Sequence, residues 1–539
     1  MRAVLRRQPL IMATFWRPAG GWHFHEFLVR WRRKWCIQAA TMSQHATKSQ
    51  ETQAPQTPTK KKARVGSAPA ANGGREGRVV FQAANGLEIQ GTLLRLTRHV
   101  VAFEIYQPDV ELRVSEVLNG FKIITGGRTI FFGRAVVSGL VNPGTMVECE
   151  AKLSAPETEA AFFLPPPAAG LTPQAAYDEF FRQWQNDYRI TPEFKVLVTD
   201  IQAFLTGVRQ WLEQIQFELR ENNDKNAATR EREILESTAQ RVITTFNLQH
   251  ERFEELAYAI PPELHGTHQD FVRRHWHRLF LCAPFGQRTF HKPLGYAGDY
   301  EMMNMIHRNQ PEGRTLYEKL IHFLLVSQWP ALSVRNRIAH LKEKLIHETA
   351  RVVRAKKRAR ILNIGCGPAW EIQDFMRESA LSNEADFTLV DFNQETLDYT
   401  GGKLNELMRS LGRRPRVETL NMSVNQLLRR AVRQGSLGLE GNYDLIYCAG
   451  LFDYLSEDTC RELVGLFHRN LHPGGLVVVA NMNDSKPFRN FIEFVLDWQL
   501  IYRTAAEVGR FAPDLGLDEM RVVAEPSAVN LFLHVRKPD

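Results

Sequence analysis

The stretch Ile361-Leu362-Asn363-Ile364-Gly365-Cys366-Gly367-Pro368-Ala369-Trp370-Glu371 reads as a buried strand that ends in a glycine turn and gives way to helical periodicity. A glycine-bearing turn at the carboxyl end of a first parallel strand lets a ligand approach backbone that a side chain would otherwise shield. The next apolar run, Phe387-Thr388-Leu389-Val390, ends in Asp391. An acidic side chain there can accept hydrogen bonds from both ribose hydroxyls of an adenosyl or dinucleotide ligand. Its other reading is a helix N-cap ahead of Gln394 and Glu395. The dinucleotide pattern needs a third glycine where this chain has Trp370, and Glu371 at the helix start would repel a pyrophosphate.

Further along, Tyr443-Asp444-Leu445-Ile446-Tyr447-Cys448-Ala449-Gly450 reads as a fourth strand, and Leu471-His472-Pro473-Gly474-Gly475 precedes a fifth at 476–480. The runs 520–524 and 530–535 are separated by a short stretch that opens with Glu525-Pro526-Ser527, too short a link for a helical crossover, so they pair antiparallel. One reversed last strand on a parallel sheet, with these motifs in this order, resembles the class I S-adenosylmethionine-dependent methyltransferases over residues 351–539. The donor carries no phosphate for Glu371 to repel. The resemblance implies that Gly365, Cys366, Gly367 and Pro368 lie against its methionine part and that Asp391 holds its ribose. Phe392, Asn421, Met422, Ser423 and Ala449 complete the expected cofactor contacts.

Three more stretches narrow the resemblance: 292–301 (Lys-Pro-Leu-Gly-Tyr-Ala-Gly-Asp-Tyr-Glu), 333–337 (Ser-Val-Arg-Asn-Arg) and 497–503 (Asp-Trp-Gln-Leu-Ile-Tyr-Arg). With the helical region before them, they resemble the bacterial extracellular-factor 3-hydroxypalmitic acid methyl ester biosynthesis proteins from about residue 170 to the end. That likeness implies carboxyl O-methylation of a hydroxy fatty acid or similar small acid. A carboxylate with a pKa of about 4 to 5 is already ionised at neutral pH and needs only to be stripped of water and aimed. Arg288, Lys292, Arg335, Arg337 and Arg503 are the candidate cations, with Tyr296 and Asp299 beside them. Asp299 is equally placed to cap a helix starting at Tyr300. A hydroxyl or small-amine acceptor would instead require a base, for which Asp453 or Tyr454 stands after the fourth strand. A non-catalytic regulatory protein that binds the same donor is the alternative of another class.

Working toward the amino end, residues 171–350 have helical texture. Val198, Ile201, Leu205, Val208, Leu212, Ile215 and Leu219 recur at three-four spacing and lay an apolar seam on one long helix. Residues 242–259 supply a partner within the chain, and a homodimer through this helical domain is the rival. The segment 156–170 is a Pro/Ala-rich linker. Before it, 78–155 holds short β-branched runs at 79–81, 87–94, 100–105, 110–114, 121–124, 129–137 and 146–153. They are punctuated by Asn85-Gly86, Asn119-Gly120, Gly126-Gly127 and Asn142-Pro143-Gly144. This pattern predicts a small β-barrel and resembles a PilZ-like domain. The ligand motif of that family is incomplete: Arg75 and Arg78 stand one residue too close, and no D/N-x-S-x-x-G follows, so cyclic di-GMP is not expected.

Charge places the rest. Residues 1–77 hold 14 Lys and Arg against 3 Asp and Glu, leaving 54 against 57 for the remainder. The basic character therefore belongs to a disordered leader, whose true start is expected at Met42, and no nucleic-acid partner is expected. Six scattered cysteines without a CxxC, and no apolar run of about 18 residues, fit a cytoplasmic protein with no transmembrane segment. His265, His268, His275, His277 and His291 lack an HExxH or a carboxylate cluster, so no metal is expected.

Overall fold

The computed structural model describes residues 77–539 apart from 83–87, 98, 107–111, 126–127, 142–146, 155–173, 176, 179–180, 183–188, 222–225, 356, 435–436, 438–441, 485–487 and 513–518. The leader up to residue 76 with its Met42 start, the whole linker, and three of the four barrel turn signals lie outside the described residues. Alternating apolar positions form β1 (Gly77–Gln82), β2 (Glu88–Leu96), β3 (Val100–Ile105), β4 (Val117–Thr125), β5 (Arg128–Val141) and β6 (Val147–Ser154), closed as a barrel in the order β1-β2-β3-β6-β5-β4. Its interior is filled by the rings of Phe81, Phe103, Phe121 and Phe131, with centroids 5.7 to 6.3 Å apart.

Two expectations in this barrel are corrected. The run 110–114 forms no strand over its described part; residues 114–115 turn, with Ser115 at φ 67°. Asn119-Gly120 lies inside β4 as a bulge, the pairing with β5 slipping between Leu118 and Phe121 where Gly120 takes φ 58°.

The long seam becomes α1 (Pro192–Glu221), with Val198, Ile201, Leu205 and Leu212 buried. Its partner is α2 (Ala227–Tyr258) of the same chain, which buries Val242, Phe246, Phe253 and Ala257. There follow α3 (His265–Phe280), α4 (Pro284–His291), α5 (Tyr300–Arg308), α6 (Leu316–Val326) and α7 (Trp329–Arg354). The expected boundary at 350 falls inside α7, because that helix begins in the helical core with Ala331, Val334 and Ile338 and ends against the sheet with Leu341, Leu345 and Val352.

The sheet contains β7 (Ala359–Ile364), β8 (Ala385–Asp391), β9 (Arg416–Asn421), β10 (Tyr443–Cys448), β11 (Leu471–Met482), β12 (Met520–Ala524) and β13 (Asn530–Arg536), ordered β12-β13-β11-β10-β7-β8-β9. The pairings from β11 through β9 are parallel, and β13 runs antiparallel to both of its neighbours. The reversed strand is therefore last in sequence and second from the edge in space. Helices α8 (Trp370–Glu378), α9 (Gln394–Leu411), α10 (Val424–Gln434) and α11 (Glu457–Arg469) connect the parallel strands, and α12 (Arg489–Val495) and α13 (Ala505–Gly509) follow β11.

His340 of α7 meets His534 of β13 at 3.0 Å between their Nε2 atoms. Burial lowers the two rings to about 4 and about 3 respectively, so both are neutral in the folded protein. A neutral buried histidine binds its proton later than the unfolded chain does. Its contribution is complete above the unfolded pKa of about 6.5 and is lost as pH falls toward the folded value. Urea unfolding at pH 7 and pH 5 should therefore show lower stability at pH 5, by roughly 1–2 kcal/mol from His534 alone. The His534→Leu variant should show a flatter decline; an unchanged pH dependence would refute the assignment.

Candidate functional site

The chain leaves β7 through Gly365 at φ 66° and Gly367 at φ 50°, conformations that glycine reaches without strain. The amides of Gly365 and Cys366 both donate to Val390 O, at 2.8 and 3.1 Å, which ties the bend to the end of β8. A Cβ built on Gly367 would meet nothing within 4 Å. Asp391 faces this bend: its Oδ2 accepts the Gly367 N–H at 3.1 Å and its Oδ1 the Asn393 N–H at 3.0 Å. Burial raises its carboxyl, opposed by these amides and by Arg113. The cap of α9 is Asn393, whose Oδ1 accepts the Thr396 N–H at 2.9 Å, and not Asp391.

Around the bend, Asn421 Nδ2 donates to Phe392 O at 3.0 Å and Met422 N to Asp391 O at 2.9 Å. Ser423 Oγ accepts the Gln426 N–H at 3.2 Å where α10 opens. Tyr296 packs its ring 4.8 Å from that of Phe392 and reaches Thr396 Oγ1 at 3.4 Å, so it sits on the Asp391–Phe392 side of the bend. The guanidinium of Arg113, carried by the barrel, lies 3.5 Å over the centroid of Phe392.

Gly365, Cys366, Gly367, Pro368 and Ala449 also form one end of a cavity containing about 1310 Å³ of empty space, its open mouth included. The walls beyond are apolar: Phe246, Phe285, Ile306, Leu325, Val334 and Ile338 from the helices, and Phe488, Phe491 and Leu496 around α12. Arg337 of α7 stands in this wall, only 9% exposed, and its guanidinium hydrogen-bonds no described residue. A Cβ on Gly450 would come within 3.2 Å of its Nη2, so the glycine makes room for it. Gln328 Nε2 donates to Leu324 O at 3.0 Å, while its Oε1, on the cavity wall, is buried without a partner among the described residues. Asp453 accepts the Met482 N–H at 2.6 Å; burial raises its carboxyl to about 6, against that amide, Arg337 and Arg503. Glu371 accepts from Asn363 Nδ2 at 3.1 Å and from the Tyr447 hydroxyl at 2.7 Å.

The other expected acceptor contacts are engaged elsewhere. Arg288 Nε bonds both Asp299 oxygens at 2.8 and 2.9 Å, while Asp299 Oδ1 caps α5 through the Glu301 and Met302 amides. Lys292, 2% exposed, donates to Asp497 O at 2.8 Å, and burial lowers its ammonium to about 7. Arg335 donates to Ile306 O and Val326 O at 3.1 and 2.8 Å. Arg503 donates to Phe452 O, Asn481 Oδ1 and Leu455 O at 2.9, 2.6 and 2.5 Å. Tyr454 donates to Ala297 O at 3.4 Å and accepts from Trp498 Nε1 at 2.8 Å; burial raises its phenol, which suits it to bracing the loop and not to proton abstraction. His265, His268, His275 and His277 each bond a backbone carbonyl, and no described group of three potential ligands could hold a metal.

Sequence reading missed what joins these parts. Asp497 (φ 55°) accepts from Arg134 of β5 at 2.8 Å and from Arg273 of α3 at 2.9 Å. Burial works to raise this carboxyl, but Arg273, Lys292, Arg134 and Lys152 outweigh it and hold it well below the usual carboxylate range. Its neighbour Trp498 lines the cavity. Lys292 and Asp497 open two of the stretches singled out in the sequence, but nothing there pairs them with each other or with Arg134 and Arg273, which lie hundreds of residues from Asp497.

No protein-family model matches the sequence, and no curated protein matches it. Among solved structures, the chain is similar to a possible exported protein from Bordetella parapertussis, at 16% identity and TM-score 0.38, covering 56% of this chain and 97% of that one. It is also similar to the S-adenosylmethionine-dependent methyltransferase SibL in its apo form, at 17% identity and TM-score 0.30 over 58% and 97% of the two chains. A third is magnesium protoporphyrin IX methyltransferase from Synechocystis PCC 6803 with bound SAH, at 8% identity and TM-score 0.28 over 43% and 93%. Scores this low leave the chemistry to be argued from the site itself.

Replacing Asp497 by Asn should cost about 3–5 kcal/mol, because it leaves buried cations without their counter-charge. Urea unfolding of the variant measures this, and a loss below about 1 kcal/mol would show that the node does not hold the parts together.

Proposed function

We propose that this chain is an S-adenosylmethionine-dependent methyltransferase that esterifies the carboxylate of a hydrophobic, hydroxylated acid. The observation that carries the reading is Arg337, a guanidinium hydrogen-bonded to no described residue on the wall of a largely apolar cavity that opens onto the glycine bend and also carries His250, Gln328, Glu371 and Asp453. Burying a cation is costly unless something anionic joins it. A carboxylate offers the planar, bidentate match that a guanidinium favours.

The bend fits the donor. Space beside Gly367 admits an amino-acid end, Asp391 is aimed at the same place for ribose hydroxyls, and Phe392 offers a ring for adenine. Bound there, the donor supplies a methyl group on a sulfonium, open to in-line displacement by an oxygen lone pair. The chain's own part is to hold the acceptor carboxylate on Arg337 and to strip its water with the Phe, Leu and Ile walls. The unpartnered Oε1 of Gln328 is available to accept the hydrogen of a substrate hydroxyl. No base is required on this route. A second reading rests on Asp453: a cavity carboxyl near 6 would suit a general base for a hydroxyl or amine acceptor. The PilZ-like nature of the barrel, the absence of cyclic di-GMP from it, and a cytoplasmic location belong to the same proposal.

Incubation with isotopically methyl-labelled donor and a long-chain 3-hydroxy acid should give a base-labile labelled ester. Donor binding without transfer to any acid, hydroxyl or amine in a metabolite extract would overturn the enzyme reading. The Arg337→Gln variant should lose roughly 30- to 1000-fold in kcat/KM, as expected for a lost charge-assisted contact, while its calorimetric donor affinity stays within about twofold.

The Asp453→Asn variant separates the two acceptor readings. A carboxylate acceptor predicts a kcat that is flat above pH 6.5 and a loss smaller than about tenfold. A rise in kcat through about pH 6 with a loss above roughly 100-fold would select the base-dependent reading.

A further inference from the structure

We propose that Arg113, on the turn between β3 and β4 of the barrel, is a binding residue of the methyl-donor site, so that the barrel completes the pocket for the adenosine half. The inference rests on the donor reading above.

The geometry is specific. The guanidinium carbon lies 3.5 Å over the ring of Phe392, immediately after Asp391 on the strand that borders the glycine bend. The side chain makes no hydrogen bond to a described residue, so its donors are free to meet a ligand. Its charge is felt at both groups that flank the nucleoside position: it opposes the burial that raises Asp391 and the burial that raises Tyr296. A guanidinium at that place can extend the Phe392 platform under a purine and donate to its ring nitrogens or to a ribose oxygen.

The turn that carries Arg113 is held firmly. Arg113 N donates to Glu116 Oε2 at 2.9 Å, and Ser115 N to Val137 O at 2.8 Å. Ser115 Oγ donates to Gln499 O at 2.9 Å and accepts the Gln499 N–H at 2.6 Å. Val117 N donates to Gly295 O at 2.9 Å. The barrel turn is thus clamped between the 292–299 loop and the 497–503 segment, both of which border the cavity or the bend. A residue so carried couples donor binding to barrel docking, and such coupling is reciprocal.

Titration calorimetry of the full chain with S-adenosylmethionine and S-adenosylhomocysteine tests this, with Arg113→Ala, Arg113→Lys and Asp391→Asn beside the unsubstituted protein. Arg113→Ala should weaken both ligands by roughly five- to fiftyfold and to the same extent, since they share the adenosine half. Arg113→Lys should recover part of the loss, and the ligand-free melting temperature should stay within about 2 °C. Hydrogen exchange at residues 112–117 should slow when S-adenosylhomocysteine binds the unsubstituted chain and not when it binds Arg113→Ala. If the unsubstituted chain binds neither ligand, the donor reading itself falls. If it binds both, Asp391→Asn weakens them, and Arg113→Ala binds as well as or better than the unsubstituted chain, the donor reading stands and Arg113 is no part of the site.

Discussion

A single buried carboxylate, Asp497, supports the arrangement on which the site depends. Its carboxylate pairs with Arg134 from the barrel and Arg273 from the helical layer, its backbone carbonyl accepts from Lys292 in the loop after α4, and it sits on the segment that continues into the cavity wall. In so dry a place, unpaired charges of either sign would be costly, so these three elements stay docked or they forfeit the pairing. Trp498, next in sequence, then braces Tyr454, and Tyr454 braces the loop at Ala297. This part of the cavity wall is built by relayed contacts from that node.

Among the five cations that the sequence offered for the acceptor, Arg337 alone hydrogen-bonds no described residue. The other candidate cations are held by Asp299, by Asp497 or by backbone carbonyls, and their work is structural. Arg337 faces apolar surface on one side and the glycine bend on the other, and Gly450 leaves it room. On the proposed reading this is where an acceptor carboxylate would bind, with its apolar part against the Phe, Leu and Ile walls. The bend and the cavity therefore differ in character: backbone amides and a carboxylate at one, mostly apolar walls with a guanidinium at the other.

Much of this was legible along the chain. The run into Gly365 and Gly367 identified the ligand bend, because glycine there reports a backbone need that is local. Asp391 was picked out by its place at the end of an apolar run, and the short link at 525–529 required the hairpin of β12 and β13. The seam on α1 found its partner in α2, as its spacing implied. Asn119-Gly120 misled, because a bulge inside a strand and a turn between strands ask for the same residues. Tyr296 and Asp299 were grouped with the acceptor contacts, yet one packs on Phe392 and the other caps α5.

What the amino-acid order determined by itself is whatever depends on neighbours a few residues apart: strands, caps and the glycine bend. Which arginine is left without a partner, and that a barrel residue reaches Phe392, were decided only by the folded chain. Hydrogen bonds between side chains hundreds of positions apart leave no periodicity to read, and five arginines and lysines that look alike in sequence differ only in what the fold brings to meet them.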